Sequence, residues 1–252
     1  MIRQHAFLLL SPFFGIAPCY AQGDVRDTSI FMVPISVAYA FQIPQGDLAD
    51  RFGPNHNIGL SAAVKFKSNY LLGLEGSFIF GNVIREHGLL SGLEDPDGVI
   101  LDQDGQPASI LTYERGYCLL AWAGRIMPIV GPNPNSGLLL KLGGGYLRHK
   151  IRIETQENVV PQLEGDYLSG YDRLAGGPAG MLFFGYQHIG NKRMINFMFG
   201  FEMVLGFTQP LRGYNFDTRQ SESGTRMDGL NGFRFGWTLP IYRRTANGYY
   251  FR

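Results

Sequence analysis

The sequence predicts an all-β protein, a single closed eight-stranded antiparallel barrel that crosses a membrane and carries long loops at one end. Three observations predict it. Apolar side chains recur at every second residue over eight separate stretches. The links between those stretches alternate between short and long. Aromatic rings gather near both ends of the apolar stripes, where amphipathic rings favour a lipid headgroup layer. After the N-terminus no segment approaches the ~20 unbroken apolar residues of a spanning helix, so a crossing would have to be made by strands.

The chain opens with a short basic start (Arg3, His5), an apolar run from Ala6 to Ile16 and small residues around Cys19 and Ala21. This is the pattern of a secretory signal over residues 1–21, leaving a mature domain of 22–252. A lipidated Cys19 is the competing reading, and Pro18 fits it poorly. The apolar run is too short for a membrane anchor. Once the signal is removed Cys118 is the one cysteine left, so no disulfide staples the fold.

The strands follow in order. In the first, Val33, Ile35, Val37, Tyr39, Phe41 and Ile43 share one face, against small or polar residues on the other. Ile58, Leu60, Ala62, Val64 and Phe66 repeat the pattern. After a turn at Ser68-Asn69 come Tyr70, Leu72, Leu74, Phe78 and Phe80, with Leu71 and Ile79 breaking the alternation. Tyr117, Leu119, Ala121 and Ala123 form the fourth stripe, and Leu138, Leu140, Leu142 and Tyr146 the fifth. The sixth is Leu182, Phe184 and Tyr186. The clearest is the seventh, Ile195, Phe197, Phe199, Phe201, Met203, Leu205 and Phe207. Phe233, Phe235, Trp237, Leu239 and Ile241 make the eighth. An even count of strands about ten residues long is what a spanning barrel needs, because closure gives every backbone group a partner.

Short links fall at 68–69, 131–136 and 190–192, and long ones at 44–57, 82–109, 154–174 and 209–229. Both termini then lie at the short-turn end. Phe66, Tyr70, Tyr186 and Phe197 mark one aromatic rim, and Tyr39, Phe41, Phe80, Tyr117, Tyr146 and Phe207 the other. Residues 243–252, with Tyr249-Tyr250-Phe251, read either as an aromatic assembly signal or as a tail.

Composition narrows the function classes. At 45% hydrophobic and 17% charged the chain is not of the disordered class, and a net charge of +1 gives no basic surplus for nucleic acid. A soluble barrel or sandwich with the aromatic face as its core would expose the Gly, Ala and Ser face, which carries few charges for a water-facing surface.

Segments such as YERGYCLLAWAGR, GPNPNSGLLLKLGGG and INFMFGFEMVLGFT, with the signal and the strand pattern, resemble small outer-membrane β-barrels of Gram-negative bacteria. The likeness is to the OmpA-like membrane-domain type and to uncharacterised barrels common in the Bacteroidota. It implies a bacterial outer-membrane location with the long loops extracellular, and it carries over no active site.

Inward charges are the leading candidate site: Glu75, Glu114, Lys141, Glu202 and Arg234, with Lys65 and Lys67 near the short-turn rim. Ions in a narrow lumen need partners, and Arg234 and Glu202 lie on neighbouring strands, so they are the first pair expected in a plugging network. The alternative is that these side chains meet water in a hydrated lumen. Arg148, Lys150 and Arg152 project outward beyond Tyr146, where they could contact lipopolysaccharide phosphates or simply snorkel into solvent. Asp95-Pro96-Asp97-Gly98 and Asp102-Gln103-Asp104-Gly105 lack calcium-loop spacing and read as tight turns, with a hairpin extension near 99–101. Gly143-Gly144-Gly145 lies in a strand and lacks the rest of a phosphate-binding loop. Some barrels of the resembled kind modify lipid A with Ser, His and an acid. His149, flanked by Arg148 and Lys150 and so read as solvated or headgroup-facing, and Ser169 or Ser223 are nominal counterparts, but no motif activates either serine. No metal, cofactor or catalytic site is expected. The functional expectation is a structural or interaction role in the envelope, with outer-membrane lipid, lipopolysaccharide or other envelope proteins as partners. Transport of small or hydrophobic molecules is the alternative, and a lipid A-modifying enzyme the lesser one.

Overall fold

The computed structural model describes residues 25, 28–156, 159–191 and 194–242. The expected signal segment and the C-terminal 243–252 lie outside the described residues.

Eight strands form one closed antiparallel ring in chain order. They are β1 (Met32–Gly46), β2 (Asn55–Lys65), β3 (Tyr70–Gly81), β4 (Ser109–Met127), β5 (Gly137–Gln156), β6 (Ala175–Ile189), β7 (Asn196–Pro210) and β8 (Arg226–Tyr242). The first and last strands close the ring along their whole shared length, from Met32↔Tyr242 to Gly46↔Asp228. Within the ring itself, closure leaves no sheet edge with unpaired N–H and C=O groups. Each expected stripe faces outward and, apart from Phe66 and Ile195 one residue beyond the ends of β2 and β7, lies on a strand, with exposed Phe199, Phe233 and Trp237 alternating with buried Met198, Arg234 and Thr238. Leu71 and Ile79, which break the pattern in the sequence, point inward and are buried. With Leu120, Ile126, Leu139, Leu147 and Phe183 they make the lumen partly an apolar core.

The strands are longer than the stripes, and the excess lies at the long-loop end. There the backbone ladder continues after the apolar outer face has stopped. The first long link is accordingly 47–54, not 44–57, and holds a short helix, α1 (Asp47–Arg51). Gly46 makes the turn into it at φ 61°, with no room for a Cβ, which would lie 2.3 Å from the Met227 carbonyl oxygen. Strands β4 and β5 stand proud of the ring. Pairing to β3 stops at Gly81↔Glu114 and to β6 at His149↔Ala175, while β4 and β5 pair on to Ser109↔Gln156. The expected strand near 99–101 reduces to a single bridge, Leu101↔Pro107, at a minimal hairpin. A second short helix, α2 (Gly165–Leu168), lies in the third long loop.

Candidate functional site

Strand alternation sends every second residue into a narrow lumen and builds the middle of three closing layers; the other two draw on the loops and on the segment before β1. The middle layer centres on Arg234 of β8. Its Nη2 donates to Glu202 Oε1 at 2.7 Å and to Asn57 Oδ1 at 3.1 Å. Its Nε lies 2.6 Å from Glu202 Oε2 and its Nη1 3.0 Å from Glu75 Oε1. Gln42 Nε2 donates to Glu202 Oε1 at 3.4 Å. A residue larger than glycine at 59 would crowd this cluster, since its Cβ would lie 3.2 Å from Arg234 Nη1. Lys141 is buried over the Trp122 ring at 4.4 Å and the Phe183 ring at 5.0 Å, with Met198 Sδ at 3.4 Å. These ring faces supply cation–π attraction. Two carboxylates and two cations thus share the layer.

Glu114 belongs to a different arrangement. Both its carboxylate oxygens accept from Asn55 Nδ2 at 3.0 Å, and among the described residues no cation lies within ion-pair distance of it. Of the inward charges, the structure joins Glu75, Glu202 and Arg234, sets Lys141 beside them, and leaves Glu114 apart.

The short-turn layer is held by Lys65, which is buried, while Lys67 is exposed. Lys65 Nζ donates to Ser29 Oγ at 3.0 Å, the Ile30 carbonyl at 3.1 Å and Asn135 Oδ1 at 2.9 Å. Asn135 in turn donates to the Val25 and Thr28 carbonyls. The segment before β1 is thereby tied across the barrel mouth.

The long-loop layer is the part that sequence reasoning missed. Arg51 of α1 pairs with Glu222 at 2.5 Å and Glu86 at 3.2 Å. Glu86 also holds Arg173 at 3.2 Å, and Arg173 pairs with Asp217. The alternating chain Glu222–Arg51–Glu86–Arg173–Asp217 ties together all four long loops. Arg173 adopts φ 47°, a left-handed conformation costly for a non-glycine residue, and its two ion pairs hold it there. Beneath the charges Leu48, Phe52, Leu89, Val160, Leu163 and Tyr171 are buried in continuity with the lumen core. In the fourth loop burial pushes the Glu222 carboxyl up, but the Asn215 hydrogen bond and the nearby Arg51 and Arg226 outweigh it and hold the group below its ordinary value. Arg212 is raised by its hydrogen bond to Asp172.

His149 corrects a sequence expectation. It is not solvated: the period of two turns it inward, where it is 1% exposed. Its Nε2 lies 2.8 Å from Asp228 Oδ2, which also accepts from Thr208, and the Phe52 ring packs edge-on against it. Ser169 Oγ donates to the Asp166 carbonyl at 2.6 Å. No hydrogen bond links His149 to either serine among the described residues, and a Ser–His relay is not assembled.

Of the outward cations, Arg148 lies against Tyr117, Lys150 is 3.6 Å from Asp172, and Arg152 pairs with Glu154 at 2.5 Å. The two Asp-x-x-Gly segments spend their carboxylates on turns. Asp95 Oδ1 accepts from the backbone N–H groups of Asp97 and Val99, and Asp102 Oδ1 from those of Asp104 and Gln106. Among the described residues no cluster of three potential metal ligands occurs. Gly143 and Gly145 of the glycine run serve close packing, since a Cβ would lie 2.8 Å from the Ala121 carbonyl oxygen at the first and 1.8 Å from that of Leu119 at the second.

No protein family model and no curated protein matches the chain. Solved structures similar to it include the attachment invasion locus protein Ail of Yersinia pestis in complex with the heparin analogue sucrose octasulfate. That match has 14% identity and a TM-score of 0.39, over 83% of this chain and 99% of that one. Neisserial surface protein A is 9% identical with a TM-score of 0.43, over 83% and 96%. The outer membrane protein OprG of Pseudomonas aeruginosa is 12% identical with a TM-score of 0.33, over 87% and 100%.

Proposed function

We propose that the chain is an integral barrel of a bacterial outer membrane, exported with loss of residues 1–21, whose role is structural or interactive and not that of a pore. The observation that carries this reading is the contrast between its two faces. Outside, β7 is apolar at every outward position from Phe197 to Phe207. Ten steps of roughly 3.3 Å, tilted by about 40°, make a band about 25 Å tall, the height of a hydrocarbon layer. Inside, ions and rings fill the lumen at three levels. A water-soluble barrel would have to leave Leu74, Phe233 and Trp237 facing solvent.

The long-loop end then faces outward from the cell as a capped surface, with lipopolysaccharide or another envelope protein as its partner class. Planar-bilayer recording of the full chain tests the reading. Electrical silence is the expected result, and stable single-channel steps would turn it toward transport. Recovery of correctly folded protein from a detergent-free soluble fraction would overturn the membrane location itself.

A further inference from the structure

The outward face of the β4–β5 ribbon near the long-loop rim holds more positive charge than its neighbours neutralise. Arg115 of β4 stands directly opposite Lys150 of β5, and Tyr117 opposite Arg148. Two like charges facing across a ladder repel unless an anion lies between them. The acids nearby are already engaged. Arg152 takes Glu154. Asp172 is held by Arg212 through two hydrogen bonds, of 2.9 and 2.6 Å, before Lys150 approaches it at 3.6 Å. Arg115 donates to the Glu114 backbone carbonyl at 2.7 Å and lies over the Tyr113 ring at 4.8 Å. Arg148 reaches the Tyr117 hydroxyl at 3.4 Å. Three cations therefore stand at one rim, held by neutral groups or by an acid that already has a cation.

Towards the short-turn end on the same face the wall recedes. Leu60, Leu74, Leu119, Ala121 and Gly144 border a concavity of about 520 Å³. It continues into another of about 610 Å³ that shares Ala62, Leu74 and Ala121 and runs on past Val64, Leu72 and Ala123. The register explains the groove: Ala62, Leu74, Ala121, Gly144 and Gly180 face one another across five successive strands. A Cβ on Gly144 would meet nothing closer than 3.6 Å, so packing inside the protein does not require that glycine. From Arg115 to Ala121 is about 20 Å along the strand at ~3.3 Å per residue, or about 15 Å of depth after tilt. That is a little more than half of the apolar band about 25 Å tall, so the groove lies near its mid-depth.

We propose that this face binds one phosphate-bearing lipid of the loop-side leaflet. Its phosphate is held by Arg115, Arg148 and Lys150, and one acyl chain lies in the groove over Ala121 and Gly144. The proposal rests on the membrane reading above and gives it a defined ligand chemistry. The phosphate supplies the missing anion between Arg115 and Lys150, where guanidinium–phosphate bonds are charge-assisted. The chain fills a recess that freely moving lipid would cover less well.

The test is native mass spectrometry of the full chain released from detergent with lipid A as the probe. Wild type is expected to retain a single lipid. R115Q/K150Q should lower retention by about tenfold or more, in keeping with the loss of one or two charge-assisted contacts. A121L/G144L should lower it by filling the groove, while R125Q at the opposite rim should match wild type. Gel mobility of every variant, folded against heated, confirms that the barrel has formed. Equal retention by R115Q/K150Q, or equal retention of a dephosphorylated lipid by wild type, would overturn the proposal. So would a dimer without lipid that A121L/G144L abolishes, because the groove would then belong to a second copy. Each of these results leaves membrane insertion intact, whereas failure to insert at all would sink the earlier reading instead.

Discussion

Replacing Arg234 by methionine removes the cation at the centre of the lumen. Glu75 and Glu202 then share that space with Lys141 alone, and the layer passes from neutral to one net negative charge. Arg234 is 2% exposed and Glu202 1%, so water cannot replace the lost partner without opening the wall. Removing one member of a buried pair costs about 3–5 kcal/mol, and R234M should fall in that range. E202Q leaves Arg234 with Glu75 and should cost less. The double variant R234M/E202Q restores neutrality through Glu75 and Lys141. It should therefore be more stable than R234M alone, a non-additivity of about 1–3 kcal/mol. Urea unfolding in phospholipid vesicles measures this, followed by the fluorescence of Trp122, which faces Lys141, and Trp237, which faces outward. If both single variants unfold at the wild-type midpoint, the lumen is hydrated and the network does not hold it. If the double variant merely sums the singles, the charges do not act as one group.

The other predictions concern close packing, the separate carboxylate and the cap. Gly200→Val places a Cβ 2.5 Å from the Gly185 Cα and 2.7 Å from the Phe183 ring tip, and should destabilise by at least about 1–3 kcal/mol in the same unfolding assay. Gly180→Ala, with no atom nearer than 4.0 Å, should be neutral there. Glu114→Gln keeps an oxygen for Asn55 and loses no ion pair, so it should stay within about 1 kcal/mol of wild type and fall well short of Arg234→Met. Arg51→Ala should raise hydrogen exchange in 82–108 and 211–225 together, because Glu86 and Glu222 lose their shared cation. The cap should also loosen in acid. Glu222 has its folded pKa below the unfolded value, so its contribution is complete above the ordinary carboxylate pKa of about 4.3 and fades as pH falls through the depressed one. Protection in 211–225 that stays unchanged from pH 7 down through that window, once the intrinsic pH dependence of exchange is divided out, would refute the assignment.

The barrel was legible because the outward face of the strands is largely apolar, which writes a period of two into the residues themselves. Strand 195–207 could be read residue by residue, and the structure places its start within one residue, at Asn196. Where a face met mixed surroundings the signal failed. Leu71 and Ile79 broke the alternation because this part of the lumen is apolar too. Strands β4 and β5 ran past their stripes because Tyr113 to Ser109 and Arg152 to Gln156 leave the ring and pair only with each other. The Arg234–Glu202 pairing followed from strand order alone. The partner Glu75 did not, because β3 faces β8 across the lumen and the pattern along a strand contains no information on what lies opposite. The cap was illegible for the same reason in stronger form. Arg51, Glu86, Arg173, Asp217 and Glu222 come from four loops, and no local spacing marks them. His149 could have been found: counting two by two from Tyr146, an outward residue, turns it inward despite the flanking cations.

The three closing layers also decide what kind of perturbation could open the barrel. They use different residues on different supports. Lys65 and Asn135 work through the segment before β1, Arg234 through β2, β3, β7 and β8, and the Arg51 chain through the loops. Emptying the middle layer leaves the Lys65 tie below it and the Leu48–Phe52 cluster above it intact, so a passage would still be blocked at both mouths. A gate needs one switchable barrier in an otherwise open path, and here three barriers stand in series with, among the described residues, no charge or contact shared between the outer two. On the reading proposed above, such an arrangement favours a wall over a conduit. It leaves the outer surface, the capped loops and the β4–β5 face as the parts through which the protein can act.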